Sequence, residues 1–323
     1  MNKKIAILTS GGDAPGMNTA IIILTKYALA KGMDVYYVID GYKGLYKNSI
    51  VSCKEFDYNQ YFNKGGTFIG SARFPEFKEE STRKVAVENL KTRGIDSLIV
   101  VGGDGSYQGA QKLHELGVKT MALPGTIDND ITSSDFTIGY PTALQTIMEA
   151  IIKVRDTHTS HERAGLIQVM GHGCGDLSLF GGLAGGADLV ITNENKMTPE
   201  EIGQELKVMK QMGKRSAIVV LSELIYPDLK SLTKTVQDIS GYETKSMSLD
   251  HTQRGGYPTA MEKIFTSQMS MKAVELLMEN KSGLAIGILQ GEVKGTPILE
   301  ALDLPRTDRK MEAIKINSIL KEK

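Results

Sequence analysis

The sequence predicts an α/β protein built from two doubly wound, three-layer α/β domains. Three observations predict it. Short β-branched apolar runs end in glycine-rich turns, amphipathic stretches lie between those runs, and the pattern restarts after a long helical stretch at 142–157. In order, the runs at 4–9 (KIAILT), 97–101 (SLIVV) and 120–123 (TMAL) read as buried parallel strands, and the stretches at 18–31, 82–93 and 106–116 as helices. Beyond residue 157, strands are expected at 165–169, 189–192 and 217–221. Before the last of these runs the best-signalled helix: Thr198 as N-cap, Pro199 at N1, Glu201 completing a capping box, Met197 and Ile202 as a hydrophobic staple, and Gly213 ending it. A helix at 259–278 and a strand at 284–289 follow, and the charged tail at 308–323 reads as an amphipathic closing helix.

Composition narrows the function classes. The 323 residues are 41% hydrophobic and 24% charged, with 38 Lys+Arg against 38 Asp+Glu. A zero balance excludes the broad basic surface that drives nonspecific nucleic-acid binding. No apolar run approaches the roughly 20 residues that span a bilayer, and MNKKIAILTSGGD reaches glycines too early for a signal peptide. Cys53 and Cys174 alone make neither a disulfide framework nor a zinc site, which favours a reducing, cytoplasmic setting. Trp is absent. The 34 glycines are the informative excess, because they cluster at expected strand ends, where α/β sheets bind ligands.

Three loops carry candidate chemistry. Loop one, Gly11-Gly12-Asp13-Ala14-Pro15-Gly16, precedes a helix and suits phosphate, through close backbone approach and the positive helix end. It is neither a Walker A loop nor a Rossmann fingerprint. Loop two, Gly102-Gly103-Asp104-Gly105-Ser106, sets a carboxylate in a glycine turn, where it is either a helix N-cap or a metal ligand. Loop three, Pro124-Gly125-Thr126-Ile127-Asp128-Asn129-Asp130, places two carboxylates two residues apart. Read alone, it is an Asx-type turn or a base beside a metal ligand. A phosphate cradle, a metal carboxylate and a base together are the parts of phosphoryl transfer.

These motifs resemble the bacterial ATP-dependent 6-phosphofructokinases. The resemblance covers nearly the whole chain: TSGGDAPGMN, GGTFIGSARFPEF, GGDGS, PGTIDND, MGHGCGD, LAGGAD and HTQRGGYPTA. It implies a larger ATP-binding domain (1–139 plus 252–305), a smaller sugar-phosphate domain (140–251 plus 306–323) and an active site in the cleft. Gly12, Arg73, Phe74, Gly103, Asp104, Gly105, Ser106 and Gly109 would bind ATP, with Asp104 placing Mg²⁺. Asp128 would be the base on the sugar 1-hydroxyl, assisted by Thr126 and Asp130, with Ile127 also at the substrate. Met170, Gly171, His172 and Glu223 would hold the sugar, and Arg163, Lys245, His251 and Arg254 its 6-phosphate. The resemblance implies a cytoplasmic glycolytic homotetramer with shared sites and no nucleic-acid or membrane partner. Gly105 and Gly125 stand where pyrophosphate-using relatives carry Asp and Lys, which points to ATP as donor.

Two departures touch the implied active site: His172 replaces an Arg, and Lys245 replaces another. Both lose a bidentate fork. They predict a slower kinase or an altered sugar preference, and leave a divergent paralogue or a regulatory subunit as alternatives. In the implied effector site for ADP or phosphoenolpyruvate, Lys26, Arg155, Asp188 and Lys214 keep the expected character. Ile22, Glu55 and Met212 stand where basic residues are usual, which predicts weakened allosteric control.

Overall fold

The structure is a computed structural model and describes residues 3–306 and 308–320. The final three residues of the expected tail helix therefore lie outside the described residues. The chain divides into two compact units: Met1–Thr142 with Arg254–Arg306, and Ala143–Gln253 with Thr307–Lys323.

Unit one begins with β1 (Lys4–Ser10), α1 (Met17–Ala30), β2 (Asp34–Val38), α2 (Gly41–Tyr46) and β3 (Ile50–Ser52). It continues through α3 (Glu80–Thr92), β4 (Ser97–Gly102), α4 (Asp104–Glu115), β5 (Lys119–Thr126) and the short β6 (Ile138–Gly139). Helix α5 (Tyr140–His161) starts in unit one and runs on in unit two. Unit two holds β7 (Arg163–Val169), α6 (Asp176–Ala184), β8 (Leu189–Ile191), α7 (Pro199–Gln211), β9 (Ala217–Ser222), α8 (Leu229–Ser240) and β10 (Glu243–Ser248). The chain returns to unit one for α9 (Ala260–Met278), β11 (Leu284–Leu289), β12 (Glu292–Pro297) and α10 (Ile298–Asp303), and α11 (Lys310–Leu320) belongs to unit two.

The sheet of unit one runs β12-β11-β5-β4-β1-β2-β3, with β6 beside β5. Its central strands are parallel and its margins, β2–β3 and β11–β12, antiparallel. β4 is buried along its whole length and β1 along all but its first residue, as expected of parallel strands covered on both faces. β12, EVKGTP, is mostly exposed and charged, the composition that protects an edge from further pairing. Unit two has a four-stranded parallel sheet, β10-β7-β9-β8. β10, ETKSMS, has no apolar run, so neither its strand nor its edge position was visible in the pattern.

The expected capping box on α7 is present. Thr198 N–H donates to Glu201 Oε2 at 2.7 Å, and Glu201 N–H donates to Thr198 Oγ1 at 3.1 Å. Gly213 adopts φ +85°, the left-handed stop that a side chain would resist.

One buried carboxylate organises the places where unit one is left and re-entered. Glu262, in the first turn of α9, is 1% exposed. It accepts from Gly139 N–H at 2.8 Å, Thr142 N–H at 3.4 Å, Thr142 Oγ1 at 3.1 Å and Thr266 Oγ1 at 3.3 Å. A side chain on Gly16 would meet its Oε1 at 2.5 Å, so this glycine of loop one is required by close approach. Burial pushes the Glu262 carboxyl up to about 7, against the pull of those four donors. A folded-state value above the unfolded one favours folding at low pH, and that contribution is lost as pH rises from about 4.5 through 7. Urea unfolding midpoints should therefore fall between pH 5 and 8, by up to about 3 kcal/mol in stability, and Glu262→Gln should flatten the profile.

Candidate functional site

Loops one, two and three leave β1, β4 and β5, which are neighbours in one sheet. Their carboxyl ends come close because two positions lack side chains. A Cβ on Gly102 would run into Ser106 Oγ and the Ser10 carbonyl, and one on Gly125 would lie 2.9 Å from Gly102 N. Ser106 Oγ donates to the Ser10 carbonyl at 3.2 Å, tying loop two to the end of β1.

Loop two removes the helix-cap reading of Asp104. The N-cap of α4 is Gly103, and Asp104 is the first helical residue, so its carboxylate is not the cap. It stands 46% exposed. Burial first, then the charge of Asp130, pushes its carboxyl up, and Arg306 pulls it back. Arg306 Nη2 lies 3.5 Å from Asp130 Oδ2 and 3.8 Å from Asp104 Oδ2. Gly105 faces open space, so a larger residue would fit there without moving anything. Gly109, by contrast, is explained by packing: a side chain would strike the buried Tyr42 ring, whose hydroxyl donates to the Ser106 carbonyl at 2.6 Å.

In loop three, Asp128 N–H donates to Thr126 Oγ1 at 3.1 Å. Asn129 takes φ +54°, and its side chain accepts from Thr137 N–H at 3.0 Å. This left-handed residue turns the chain so that the carboxylates on either side of it need not point the same way. Thr126 and Ile127 are buried, whereas Asp128 and Asp130 are half-buried.

Arg73 is exposed and is carried by a segment pinned to loop one. Ser71 Oγ donates to the Gly11 carbonyl at 2.7 Å, and Thr9 Oγ1 to the Gly70 carbonyl at 2.8 Å. Phe74 packs on the unit-one core beside Tyr46 and Phe77. Arg254 lies on loop one: its Nη1 donates to the Asp13 carbonyl at 3.0 Å and sits where a Cβ of Gly12 would be. Unit one thus gathers Gly12, Asp104, Asp128, Asp130, Arg254 and Arg306 around adjacent strand ends.

Unit two carries the other candidates. Arg163 opens β7 and pairs with Glu243 on β10 at 3.0 Å. Lys245, two residues along the same strand face, reaches the same Glu243 oxygen at 2.9 Å. These cations, Arg163 first, hold the exposed Glu243 carboxyl down to about 2. Met170 N–H donates to Gln253 Oε1 at 3.2 Å. Gly171 has φ +129° and His172 φ +52°, a left-handed position that histidine tolerates better than most residues. His172 N–H donates to Glu223 Oε1 at 2.8 Å, so Glu223 is already oriented by that loop. His251 is exposed in the turn of helix over Asp250–Arg254.

The implied effector cations are internally engaged. Arg155 pairs with the buried Asp188 at 3.1 Å, Lys214 pairs with the other oxygen, and Ile218 N–H donates to Asp188 at 2.6 Å. Lys26 is exposed on α1. Ile22 is buried on the same helix, and Glu55 closes a capping box with Ser52, a local task that accounts for its acidic side chain.

Arg306 and Glu243 escaped the sequence reading. Glu243 had a signal, since it stands two residues from Lys245 on one strand face. Arg306 had none, because only the fold brings it to residues more than 170 positions away.

Among the described residues no group of three or more His, Cys, Asp or Glu is arranged to hold a metal ion. A magnesium ion that arrives with a nucleotide needs only one or two carboxylates, since phosphate and water oxygens supply the rest, and Asp104 with Asp130 fits that demand. No helix among the described residues is long and apolar enough to cross a membrane.

Comparison with known proteins shows the family. The phosphofructokinase family model matches residues 4–277. The chain is 51% identical over 308 residues to an ATP-dependent 6-phosphofructokinase of Mycoplasmopsis pulmonis, covering 95% of this chain and 94% of that one. It is 50% identical over 322 residues to the protein of the same name from Mycoplasma mobile, covering 99% of both. A solved phosphofructokinase from Saccharomyces cerevisiae superposes with a TM-score of 0.86 at 31% identity, over 99% of this chain. This chain spans about half that yeast chain (48%). With a family match from the first strand to the end of α9 and half its residues shared with relatives of its own length, the chain belongs to the phosphofructokinase family.

Proposed function

We propose that the chain is an ATP-dependent 6-phosphofructokinase, transferring the γ-phosphoryl group of MgATP to the 1-hydroxyl of fructose 6-phosphate. One observation carries this reading. Three glycine turns, two of which carry Asp104, Asp128 and Asp130 between them, leave adjacent parallel strands, in a chain about half identical to relatives named for that reaction. The nucleotide side belongs to unit one. Gly12 and the uncapped start of α1 offer backbone amides to phosphate, and Arg73 adds positive charge, while Arg254, seated on loop one, is kept for the sugar's 6-phosphate. Asp104 and Asp130 would hold the magnesium of the nucleotide complex, which would supply neutralising charge to the phosphates. Asp128 accepts the proton of the attacking hydroxyl, with Thr126 beside it, and the hydroxyl oxygen bonds to the γ-phosphorus in line as the bond to the β–γ bridging oxygen breaks and ADP leaves.

The sugar side draws on unit two. Glu223 accepts sugar hydroxyls beside Met170 and Gly171, and Arg163, Lys245 and His251 supply charge for the 6-phosphate. Glu243 is their counterion in its absence. Gly125, without room for a side chain where pyrophosphate-using relatives carry Lys, supports a nucleotide donor. The protein acts in the cytoplasm as a homotetramer. Retention of Asp104, Asp128 and Asp130 together speaks against a silent regulatory subunit, which has no need of a base beside metal carboxylates.

Asp128→Asn should lower kcat by about 10²–10⁴ with MgATP and fructose 6-phosphate, without a matching loss of ATP affinity. Retained kcat would reject the assignment. A guanidinium at 172 would add a forked cation to the transferring group, so His172→Arg should raise kcat about tenfold, measured in the same coupled ADP assay. In the effector region, two cations share one buried carboxylate and three usual basic positions are absent. ADP should therefore shift the half-saturating sugar concentration less than about twofold, which steady-state sugar curves with and without ADP will check.

A further inference from the structure

Arg306 lies outside every motif, yet its side chain reaches the two carboxylates assigned to the nucleotide's metal. Its placement is built into the fold. Ile298 and Ala301 of α10 are buried in the core that also holds Ala110 and Leu113 of α4, the helix that begins with Asp104. Thr132, two residues beyond Asp130, donates its hydroxyl to the carbonyls of Leu304 at 3.1 Å and Ala301 at 3.4 Å. Leu304 N–H in turn donates to the Glu300 carbonyl at 3.1 Å. The backbone carrying Arg306 is thus fastened to loop three, while the guanidinium itself stays 48% exposed and can swing aside.

Asp104 and Asp130 both lie within 4 Å of the same Arg306 nitrogen, so two like charges share one place. An arriving polyphosphate adds more negative charge to the same place. A fixed guanidinium reduces the pair's net charge from two negative to one, and a magnesium ion does so more completely. We propose that Arg306 is a resident counterion for the Asp104–Asp130 pair, filling the metal's electrostatic role until a magnesium-bound nucleotide arrives and then yielding it. The inference rests on the kinase reading of this site. It makes Arg306 a positioning residue: it keeps two like charges together in a nucleotide-ready arrangement and becomes redundant once the metal is present.

Calorimetric titration with ATP, without sugar phosphate, in EDTA and in saturating Mg²⁺ tests this on the full-length wild type, Arg306→Met and Arg306→Lys. Arg306→Met should weaken ATP binding about five- to tenfold in EDTA and less than about twofold in Mg²⁺, and Arg306→Lys should restore most of the loss. Equal weakening in both conditions would overturn the proposal and make Arg306 a direct phosphate ligand. No weakening in EDTA would overturn it too, as would a wild type that binds ATP only with Mg²⁺. A wild type that binds no ATP in either condition would instead overturn the kinase reading, and the inference with it. Turnover by the wild type alongside any of the earlier failures would leave the kinase reading standing.

Discussion

The carboxyl ends of β1, β4 and β5 approach so closely that no side chain fits between them, and the candidate nucleotide site depends on that approach. At Gly102 the obstacle would be the Ser10 carbonyl, and at Gly125 the Gly102 amide itself. A methyl group at either place would press on neighbouring strand ends, because a backbone atom stands among those in its way at each position, beside Ser106 at Gly102 and beside Val101 and Met17 at Gly125. With the ends together, one serine hydroxyl binds loop two to β1 and one threonine hydroxyl receives the Asp128 amide. The loops carry the chemistry, and the packing beneath them fixes where they start.

Charge is arranged on a common plan across the chain. Asp104 and Asp130 share Arg306, Arg163 and Lys245 share Glu243, and Arg155 and Lys214 share Asp188. In each group two like charges converge on one opposite charge, leaving a net single charge of the sign a ligand would seek. Binding then exchanges an internal partner for an external one, so the gain is a difference between two ion pairs. The burial of the shared partner separates the cases. Glu243 is exposed and can rotate into water as a phosphate arrives, whereas Asp188 is buried and is also held by the Ile218 amide. Freeing Arg155 and Lys214 would leave that buried carboxylate short of partners, a far larger cost.

Much of the fold was legible because its central strands are apolar runs that stop at glycine, as in KIAILTSGG and SLIVVGGDG. The α7 capping box was legible for the same kind of reason, since Thr198, Pro199 and Glu201 act on atoms within one turn. The strands β2, β3, β10 and β12 were not: the last three are paired on one side only and lack a long apolar run, whereas the edge strand β8, a buried LVI, was expected. The place of the loop carboxylates at strand ends could be read from local pattern. Their counterion could not, since Arg306 comes from a segment with no motif, and neither could Glu262, which looks in sequence like any acidic residue at the start of a helix. Gly109 shows the reverse, a motif glycine whose lack of a side chain is accounted for by the Tyr42 ring.

The knot around Glu262 has a topological consequence. Thr142, the last residue of unit one before the chain departs, accepts the Thr259 amide at 3.3 Å, and a Cβ on Gly256 would sit 4.0 Å from its methyl group. Departure and return therefore occur side by side, on one buried carboxylate. Residues 143–253 are thus spliced into unit one as a cassette whose two cut ends are already neighbours. Such an insertion leaves the host sheet's strand order intact, and a joint of a few residues would suffice to reseal the host if the cassette were lifted out.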